Sequence, residues 1–202
     1  MNPKGVVPNI IPHQKNMKSL VINCISFLSL VRFKIFFGKR LHIGRNVKAN
    51  FRLKIKGPGT IILQDNVNLW AHQEPTRLQA FSQKAVITIG KESRINGATL
   101  QCREAITIGE RCLIGSAIIM DNDFHHTDPG KRFDTTNIPT KPVNISNNVW
   151  LCGQSAILKG VTIGENSVVG FRSVVTKDVD ANTVVTGNPA IKVRIFVPSA
   201  TA

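Results

Sequence analysis

An aliphatic residue returns at every sixth position in the C-terminal part of this chain. The series runs through Ile145, Leu151, Ile157, Ile163, Val169 and Val175, and a small or β-branched residue follows each member four places later. An α-helix turns by about 100° per residue, so a spacing of six would send successive aliphatic residues to different sides. Turn formers, such as Asn147-Asn148 and Lys177-Asp178, recur with a similar period. The repeat predicts a solenoid of short extended segments with aliphatic side chains stacked inside.

The same period continues upstream in shorter fragments. Aliphatic residues in the same phase include Ile89 and Ile95, then Ile108, Ile114 and Met120, with weaker echoes at Leu63, Leu69 and Ile43. Between Met120 and Ile145 the period stops, and this stretch is the most polar part of the chain. The pattern predicts a protruding loop over residues 121–142. A loop that interrupts a regular scaffold is a common place for function.

The N-terminal region differs from the repeat in charge and in period. Residues 1–64 contain twelve Lys and Arg and no Asp or Glu. This segment therefore carries most of the formal net charge of +14 of the whole chain of 202 residues. Polar residues cross an otherwise apolar stretch at spacings of three and four: Ser19, Asn23, Ser26, Ser29 and Arg32. This spacing predicts an amphipathic helix. We expect a basic extension over 1–40, the solenoid over 41–195 and a tail over 196–202.

Two interpretations of the N-terminal helix stay open. It can pack on one end of the solenoid, or residues 15–40 can rest on anionic lipid as a peripheral membrane contact. The apolar run before Arg32 is too short to span a bilayer. Four scattered cysteines without a C-x-x-C pair indicate a reducing compartment, so we expect the cytoplasm or the inner face of the membrane. No aromatic stacking set or known motif accompanies the basic bias, so we expect no nucleic-acid partner.

Several motifs together resemble the hexapeptide-repeat acyltransferases, most of all the sugar and polysaccharide O-acetyltransferases of the galactoside and maltose acetyltransferase kind. The matching segments are 95–97, 106–115, Asp-Asn-Asp-Phe-His at 121–125, 147–150, 159–170, 173–179 and Gly-Asn-Pro-Ala at 187–190. The resemblance implies an all-β fold, the left-handed parallel β-helix. It also implies a homotrimer with active sites between neighbouring subunits and acetyl-CoA as co-substrate.

The resemblance places a catalytic group in the polar loop. His125 stands where the family has its general base, and an imidazole suits that task because its ordinary pKa lies near neutrality. Asn96 matches a family residue near the acceptor hydroxyl. Asp123, with Asp121, can orient the imidazole, bind the acceptor or simply shape the turn. By position, the backbone N–H of Gly153 is the candidate donor to the oxyanion of the tetrahedral intermediate.

The resemblance also implies a coenzyme A site. The residues at the family's cofactor positions are Trp150, Gly153, Phe171, Thr176, Lys177, Lys192 and Arg194. Trp150 is placed beside the pantetheine arm, and Lys192 and Arg194 are placed to meet phosphates, because a polyanion needs positive charge where no glycine-rich phosphate loop is present. Phe171-Arg172 replaces the Ala-Gly of relatives, which leaves the identity of the acyl group open.

The leading hypothesis is an acetyl-CoA-dependent O-acetyltransferase that modifies a sugar hydroxyl in surface polysaccharide biosynthesis, such as O-antigen, capsule or exopolysaccharide. N-acetylation of an amino sugar or of a drug by the same fold is the alternative. A non-catalytic scaffold and a zinc enzyme of the γ-carbonic anhydrase kind are disfavoured. The zinc enzyme needs three His ligands on adjacent coils. Here His126 directly follows His125, and His13, His42 and His72 lie outside the matching frame, so we expect no metal.

Overall fold

The computed structural model describes residues 12–196 of the chain. The first eleven residues of the predicted extension and residues 197–202 of the predicted tail lie outside the described residues. Helix α1 covers Pro12–Phe37, and a single turn of 3-10 helix, Gly38–Arg40, leads into the strands. A second 3-10 turn, Pro129–Lys131, lies within the loop that the sequence predicts over 121–142.

The remainder of the described chain forms twenty short strands. In chain order they are β1 (Leu41–Ile43), β2 (Lys48–Ala49), β3 (Lys54–Lys56), β4 (Thr60–Leu63), β5 (Asn68–Leu69), β6 (Arg77–Ala80), β7 (Val86–Ile89), β8 (Arg94–Ile95), β9 (Thr99–Cys102), β10 (Ala105–Ile108), β11 (Leu113–Ile114), β12 (Ile118–Met120), β13 (Val143–Ile145), β14 (Trp150–Leu151), β15 (Ala156–Ile157), β16 (Thr162–Ile163), β17 (Val168–Val169), β18 (Val174–Val175), β19 (Thr183–Gly187) and β20 (Ala190–Ile195).

Up to β18, strands three apart in the chain pair in parallel, and they build three sheets. The first sheet has the order β1-β4-β7-β10-β13-β16, the second β2-β5-β8-β11-β14-β17-β19-β20, and the third β3-β6-β9-β12-β15-β18. The chain therefore visits the first, second and third sheets in turn and then begins the next coil. The predicted parallel β-helix with an N-terminal helix and a loop between β12 and β13 is confirmed.

The interior consists of the aliphatic rungs that the sixfold period predicts. Ile145, Leu151, Ile157, Ile163, Val169 and Val175 are all at most 2% exposed, and the small residues four places later are buried as well. Ile114 pairs with Ile95 on one side and with Leu151 on the other, so equivalent residues stack coil on coil. Burial of one such side chain stabilises the fold by roughly 1.5–3 kcal/mol.

One rung differs from the predicted phase. The sequence assigns Met120 to the stack, but the structure buries Ile119 completely and leaves Met120 half-buried. Ile119 pairs with Leu100 and Ile157 in the third sheet. The tight turn before β12, where the N–H of Ala117 donates to the carbonyl of Gly115 at 2.8 Å, is one residue shorter than the equivalent turn in the following coil. Because of this shorter turn, the inward-facing position is Ile119 and not Met120.

Asparagine shapes one of the three corners in most coils of the described chain. Asn148, Asn166 and Asn182 have φ values of 55°, 60° and 57°, in the left-handed region that Asn tolerates better than most residues. Their side-chain amides also bond from coil to coil, at 2.8 Å between Asn148 and Asn166 and at 2.9 Å between Asn166 and Asn182. The corner residues therefore fix both the bend and the stacking.

Each end of the coil stack is covered. At the C-terminal end β20 folds back antiparallel on β19. At the N-terminal end α1 lies on the first coil through its polar stripe. The N–H of Ala49 donates to Ser26 Oγ at 3.2 Å, Ser29 Oγ donates to the carbonyl of Asn50 at 2.8 Å, and Arg32 donates to the carbonyl of Leu53 at 3.0 Å. Free edge groups of a terminal coil need such partners, so these polar side chains face inward together with the buried Leu30.

Candidate active site

The coil topology assigns the predicted site residues to two edges of the solenoid. We call the edge where the third sheet passes to the first the histidine edge, because the loop with His125 joins β12 to β13 there. We call the edge where the second sheet passes to the third the groove edge. Asn96 follows β8 at the groove edge and Gly153 follows β14 there. One chain thus carries the predicted base and the predicted oxyanion donor on opposite margins of its third sheet.

The loop over residues 121–142 is closed at its base by backbone pairing. The N–H of Asp123 donates to the carbonyl of Pro139 at 3.2 Å, and the N–H of Lys141 donates to the carbonyl of Asp121 at 2.8 Å. Asn122 and Thr140 form an antiparallel bridge between the two arms. The loop therefore leaves the solenoid and returns at one point, which fixes where His125 emerges.

Asp121 anchors this loop to the coil below. Its carboxylate is fully buried and accepts from the backbone N–H of Arg103 at 2.8 Å and of Glu104 at 2.7 Å. The side-chain amide of Asn122 donates to the same carboxylate at 3.0 Å. A buried carboxylate needs such donors, and here they hold a turn. Of the three functions open for Asp121, these contacts support the shaping of the turn.

The imidazole of His125 is oriented by a backbone carbonyl. Its Nδ1 lies 3.0 Å from the carbonyl oxygen of Arg132 on the other arm of the loop. A carbonyl oxygen only accepts, so the hydrogen bond requires a proton on Nδ1 and leaves the lone pair of a neutral ring on Nε2. The side chain is exposed to solvent. This tautomer is the one in which Nε2 can take a proton.

Backbone strain immediately precedes His125. Phe124 has a φ of 62°, a left-handed conformation that is uncommon for a bulky side chain. Its ring packs edge-on against Phe81 with centroids 5.8 Å apart, and its N–H donates to Asn122 Oδ1 at 3.1 Å. Strained residues held by such contacts cluster at functional sites. The strain at Phe124 turns the next side chain out of the loop.

His126 is held through its other ring nitrogen. Its Nε2 lies 2.8 Å from the carbonyl oxygen of Thr136, so Nε2 carries the proton in that hydrogen bond. The side chain is partly buried, unlike that of His125. The two neighbouring imidazoles therefore present opposite nitrogens, and only His125 directs a free Nε2 to solvent.

Asp123 contacts Lys159, a residue for which the sequence predicts no role. Lys159 Nζ lies 2.6 Å from Asp123 Oδ1, and the two side chains are 30% and 27% exposed. The carbonyl of Asp123 also accepts from the N–H of His125 at 2.7 Å. Asp123 thus ties the histidine loop to the next coil, and a catalytic role for it stays a prediction. Lys159 opens the 159–170 segment that carries the resemblance, which was the available signal for it.

A cavity of about 430 Å³ lies along the groove edge. Its lining residues are His72, Gln73, Glu74, Asn96, Gly115, Ser116, Gly153 and Gln154. Asn96 is half-buried, and its Oδ1 accepts from the N–H of His72 at 2.9 Å. The first three lining residues were missed from sequence. Their only signal was the excess length between Leu69 and Ile89, which breaks the period.

Aromatic side chains flank the groove. A Cβ built on Gly153 would lie 3.6 Å from the Phe171 ring, so this ring lies against the turn of the coil beneath it. Phe171 is 59% exposed, and the Arg172 guanidinium stacks 5.2 Å from its centroid. Trp150 is 50% exposed and lines a smaller cavity together with Asn96. The groove edge therefore combines exposed apolar rings with backbone and amide groups.

The predicted cofactor residues are also divided between parts of the molecule. Thr176 and Lys177 follow β18 at the histidine edge and are exposed. Lys192 and Arg194 lie on β20, where Lys192 Nζ approaches Asp180 Oδ2 at 3.2 Å. Trp150, Gly153 and Phe171 lie on the second sheet or at the groove edge. A ligand that contacts all of them has to bridge more than one face.

The cysteines near these edges are not activated. Burial raises the pKa of the Cys112 and Cys152 thiols. The pKa of Cys102 is raised first by burial and further by the neighbouring Asp121 carboxylate. Thiols with raised pKa are poor nucleophiles. Within residues 12–196, no three His, Cys, Asp or Glu side chains are grouped as a metal site.

Comparison with known proteins places the repeat in a defined group. Residues 142–177 match the model described as bacterial transferase hexapeptide (six repeats). Over 117 residues the chain is 35% identical to galactoside O-acetyltransferase of Escherichia coli (strain K12). The matched segment covers 56% of each protein. The predicted resemblance to hexapeptide-repeat acyltransferases is confirmed.

Two solved structures share the fold. The polysialic acid O-acetyltransferase OatWY is 27% identical with a TM-score of 0.61, over 80% of this chain and 78% of that one. The hexapeptide-repeat acetyltransferase VCA0836 of Vibrio cholerae O1 biovar eltor, solved with acetyl coenzyme A, is 24% identical with a TM-score of 0.60, over 96% and 94%. The chain spans between about a quarter and just over half of the length of the curated relatives it matches.

Proposed function

We propose that this chain is an acetyl-CoA-dependent O-acetyltransferase that acts on a hydroxyl of a sugar, with His125 as general base. The observation that carries the proposal is the hydrogen bond between His125 Nδ1 and the carbonyl of Arg132 at 3.0 Å. It fixes the tautomer and leaves Nε2, on an exposed ring, able to accept a hydroxyl proton. The match to named acetyltransferases supports the same chemistry.

The reaction requires one base and one oxyanion donor. Nε2 of His125 takes the proton as the sugar oxygen bonds to the thioester carbonyl carbon. The N–H of Gly153 donates to the oxygen that becomes negative in the tetrahedral intermediate. Collapse breaks the carbon–sulfur bond, and the imidazolium returns its proton to the departing thiolate. General base catalysis of this kind contributes about 10²–10⁴ in rate, and one oxyanion donor about 10²–10³.

The two edges have to belong to different copies of the chain for this site to form. β9 of the third sheet is four residues long, which corresponds to roughly 13 Å at about 3.3 Å per residue. The third sheet separates the histidine edge from the groove edge by this distance within one copy. A symmetric homotrimer, in which the histidine loop of one copy meets the groove edge of the next, brings them together.

The residues present suit acetyl-CoA as the co-substrate. Trp150 and Phe171 offer exposed apolar rings to the pantetheine arm, while Lys177, Lys192 and Arg194 offer exposed cations to its phosphates. The half-buried Asn96 and the polar side chains of the groove suit a hydroxyl-rich acceptor. We propose that the reaction belongs to surface polysaccharide biosynthesis, because the chain is similar to a polysialic acid O-acetyltransferase.

The test compares His125→Ala with His126→Ala in steady-state assays with acetyl-CoA and panels of sugars, amino sugars and oligosaccharides. We expect His125→Ala to reduce kcat about 10²–10⁴-fold, and His126→Ala to reduce it less than tenfold. Equal activity of His125→Ala and the parent chain would reject the base assignment. Transfer confined to amines would replace O-acetylation by N-acetylation. Failure of the parent chain to bind coenzyme A in calorimetry would favour a non-catalytic scaffold.

A further inference from the structure

Helix α1 packs a few apolar side chains, such as Leu30, on the core but presents many others to solvent. The inward part of its polar stripe contacts the first coil, where Ser26 and Ser29 are buried and Arg32 donates to backbone carbonyls. Away from this contact, Phe27, Ile35 and Phe36 are 66%, 78% and 85% exposed. An amphipathic helix on a soluble domain usually packs its apolar face inward. This arrangement leaves a large apolar face without a partner in the described chain.

The exposed face is broad and continuous along the helix. We define the outer face of α1 by its apolar residues: Met17, Leu20, Val21, Cys24, Phe27, Leu28, Val31, Ile35 and Phe36. At about 100° per residue these positions spread over roughly half of the helix circumference. A seam for one partner helix is narrower and is flanked by charged residues that choose the partner. Here Leu20, Phe27 and Phe36 occupy the flanks.

The surrounding charge is of one sign. Residues 1–64 hold twelve Lys and Arg without any Asp or Glu, and Lys18 and Lys39 are exposed at or near the helix, whereas Arg45 is paired with Asp65. A second copy of the chain brings the same positive charge to the contact and is repelled. Anionic lipid supplies the opposite charge together with a hydrocarbon layer for the apolar side chains.

We propose that the outer face of α1 docks the protein on a bilayer with anionic headgroups, with the helix lying in the plane of the interface. By length and composition, Met17–Arg40 could also cross a bilayer, which corrects the expectation that the apolar run is too short. Crossing would, however, pull Ser29 and Arg32 away from the carbonyls they bind on the first coil. Docking in the plane of the interface keeps these bonds. The helix then packs on the solenoid with one side and contacts lipid with the other, as the two interpretations expect.

Vesicle flotation with the full chain tests the proposal without any assay of acetyl transfer. The vesicles contain either pure phosphatidylcholine or phosphatidylcholine with phosphatidylglycerol. We expect binding at least about tenfold tighter to the anionic vesicles, because each basic residue near a charged surface contributes about fivefold. Ile35→Ser with Phe36→Ser should weaken that binding about tenfold or more. Lys18→Gln with Lys39→Gln should weaken it and reduce its sensitivity to salt.

Ile195→Ser is the matched control, because Ile195 is 65% exposed but lies on β20 at the opposite end of the solenoid. We expect its vesicle binding to equal that of the parent chain. Binding of equal strength to uncharged vesicles would overturn the proposal, as would equal losses in Ile195→Ser and the helix variant. Absence of vesicle binding, with a helix variant that changes the oligomeric mass, would assign the outer face to a second copy instead.

Discussion

The histidine edge and the groove edge of the solenoid use different means to position chemistry. At the histidine edge, a loop of more than twenty residues is tied down by side chains and carbonyls, and it exposes one imidazole with a fixed tautomer. At the groove edge, short turns between strands leave backbone N–H groups, Asn96 and aromatic rings along a cavity. Under the proposed function, the histidine edge supplies the group that moves protons, and the groove edge supplies the surface that holds substrates.

This division teaches that a regular scaffold can carry a divided site. Every coil repeats the same three corners, so two functions that need different local structures settle on different edges. Under the proposed function neither edge is sufficient by itself, so acetyl transfer would depend on how copies of the chain meet.

Mixing two inactive variants should restore activity if each site combines edges from two copies. We expect assemblies formed from equal amounts of His125→Ala and Asn96→Ala/Trp150→Ala to reach about a quarter of the parent activity, because half of the histidine edges and half of the groove edges are intact. The two variants are refolded together and assayed for acetyl transfer, and the mass of the assembled oligomer is measured in parallel.

The control mixture combines His125→Ala with Thr176→Ala/Lys177→Ala, whose changes lie on the same edge. Every histidine edge then carries a defect, so activity should stay close to the sum of the separate variants. Equal recovery in both mixtures would show that sites do not combine the two edges as proposed.

Two neighbouring aspartates of the histidine edge should differ in stability. Asp121→Ala leaves the N–H groups of Arg103 and Glu104 without their acceptor, so we expect the free energy of unfolding to fall by about 2–4 kcal/mol. Asp123→Ala removes an ion pair whose side chains are still 30% and 27% exposed to water, so it should cost less than Asp121→Ala, about 1 kcal/mol. Urea unfolding followed by circular dichroism compares them, and equal losses would contradict the anchoring role of Asp121.

The Asp123–Lys159 pair should affect activity more than stability. We expect Asp123→Asn and Lys159→Met each to reduce kcat/KM about tenfold, because either change loosens the attachment of the histidine loop to the next coil. A double variant should lose no more than the larger single loss, since both act through one contact. Additive losses in kcat/KM would indicate that the two side chains act separately.

The smallest effect concerns the groove edge and the size of the acyl group. Phe171→Ala opens the space against Gly153, so we expect the ratio of the rate with propionyl-CoA to the rate with acetyl-CoA to rise severalfold. The two acyl groups differ by one methylene group, and room for one methylene group in an apolar pocket changes specificity by a factor of this order. Initial rates with both thioesters measure the ratio. Phe133→Ala, which changes an equally large but 93% exposed ring in the histidine loop, is the control and should leave the ratio unchanged.

The repeat and the core could be predicted from sequence because one period governs every coil. The error at Met120 arose where a turn lost one residue, a change that the spacing alone does not locate. The helix and its polar stripe were also predictable, but the side that faces inward was not, because backbone groups of the first coil decide it. His125 came from a motif, whereas its orienting partner is the backbone carbonyl of Arg132, which carries no residue signature.

The covered ends of the coil stack bear on how this chain avoids self-assembly. Parallel coils pair in the same register at every level, so the free strand edges of an uncovered terminal coil could pair with a coil of another molecule. Repeated pairing of this kind would build a fibre. The serine hydroxyls of α1 at one end and the reversed strand β20, which continues the second sheet, at the other cover part of those edges. The two caps therefore set a finite length, and contacts between copies are left to the sides of the stack.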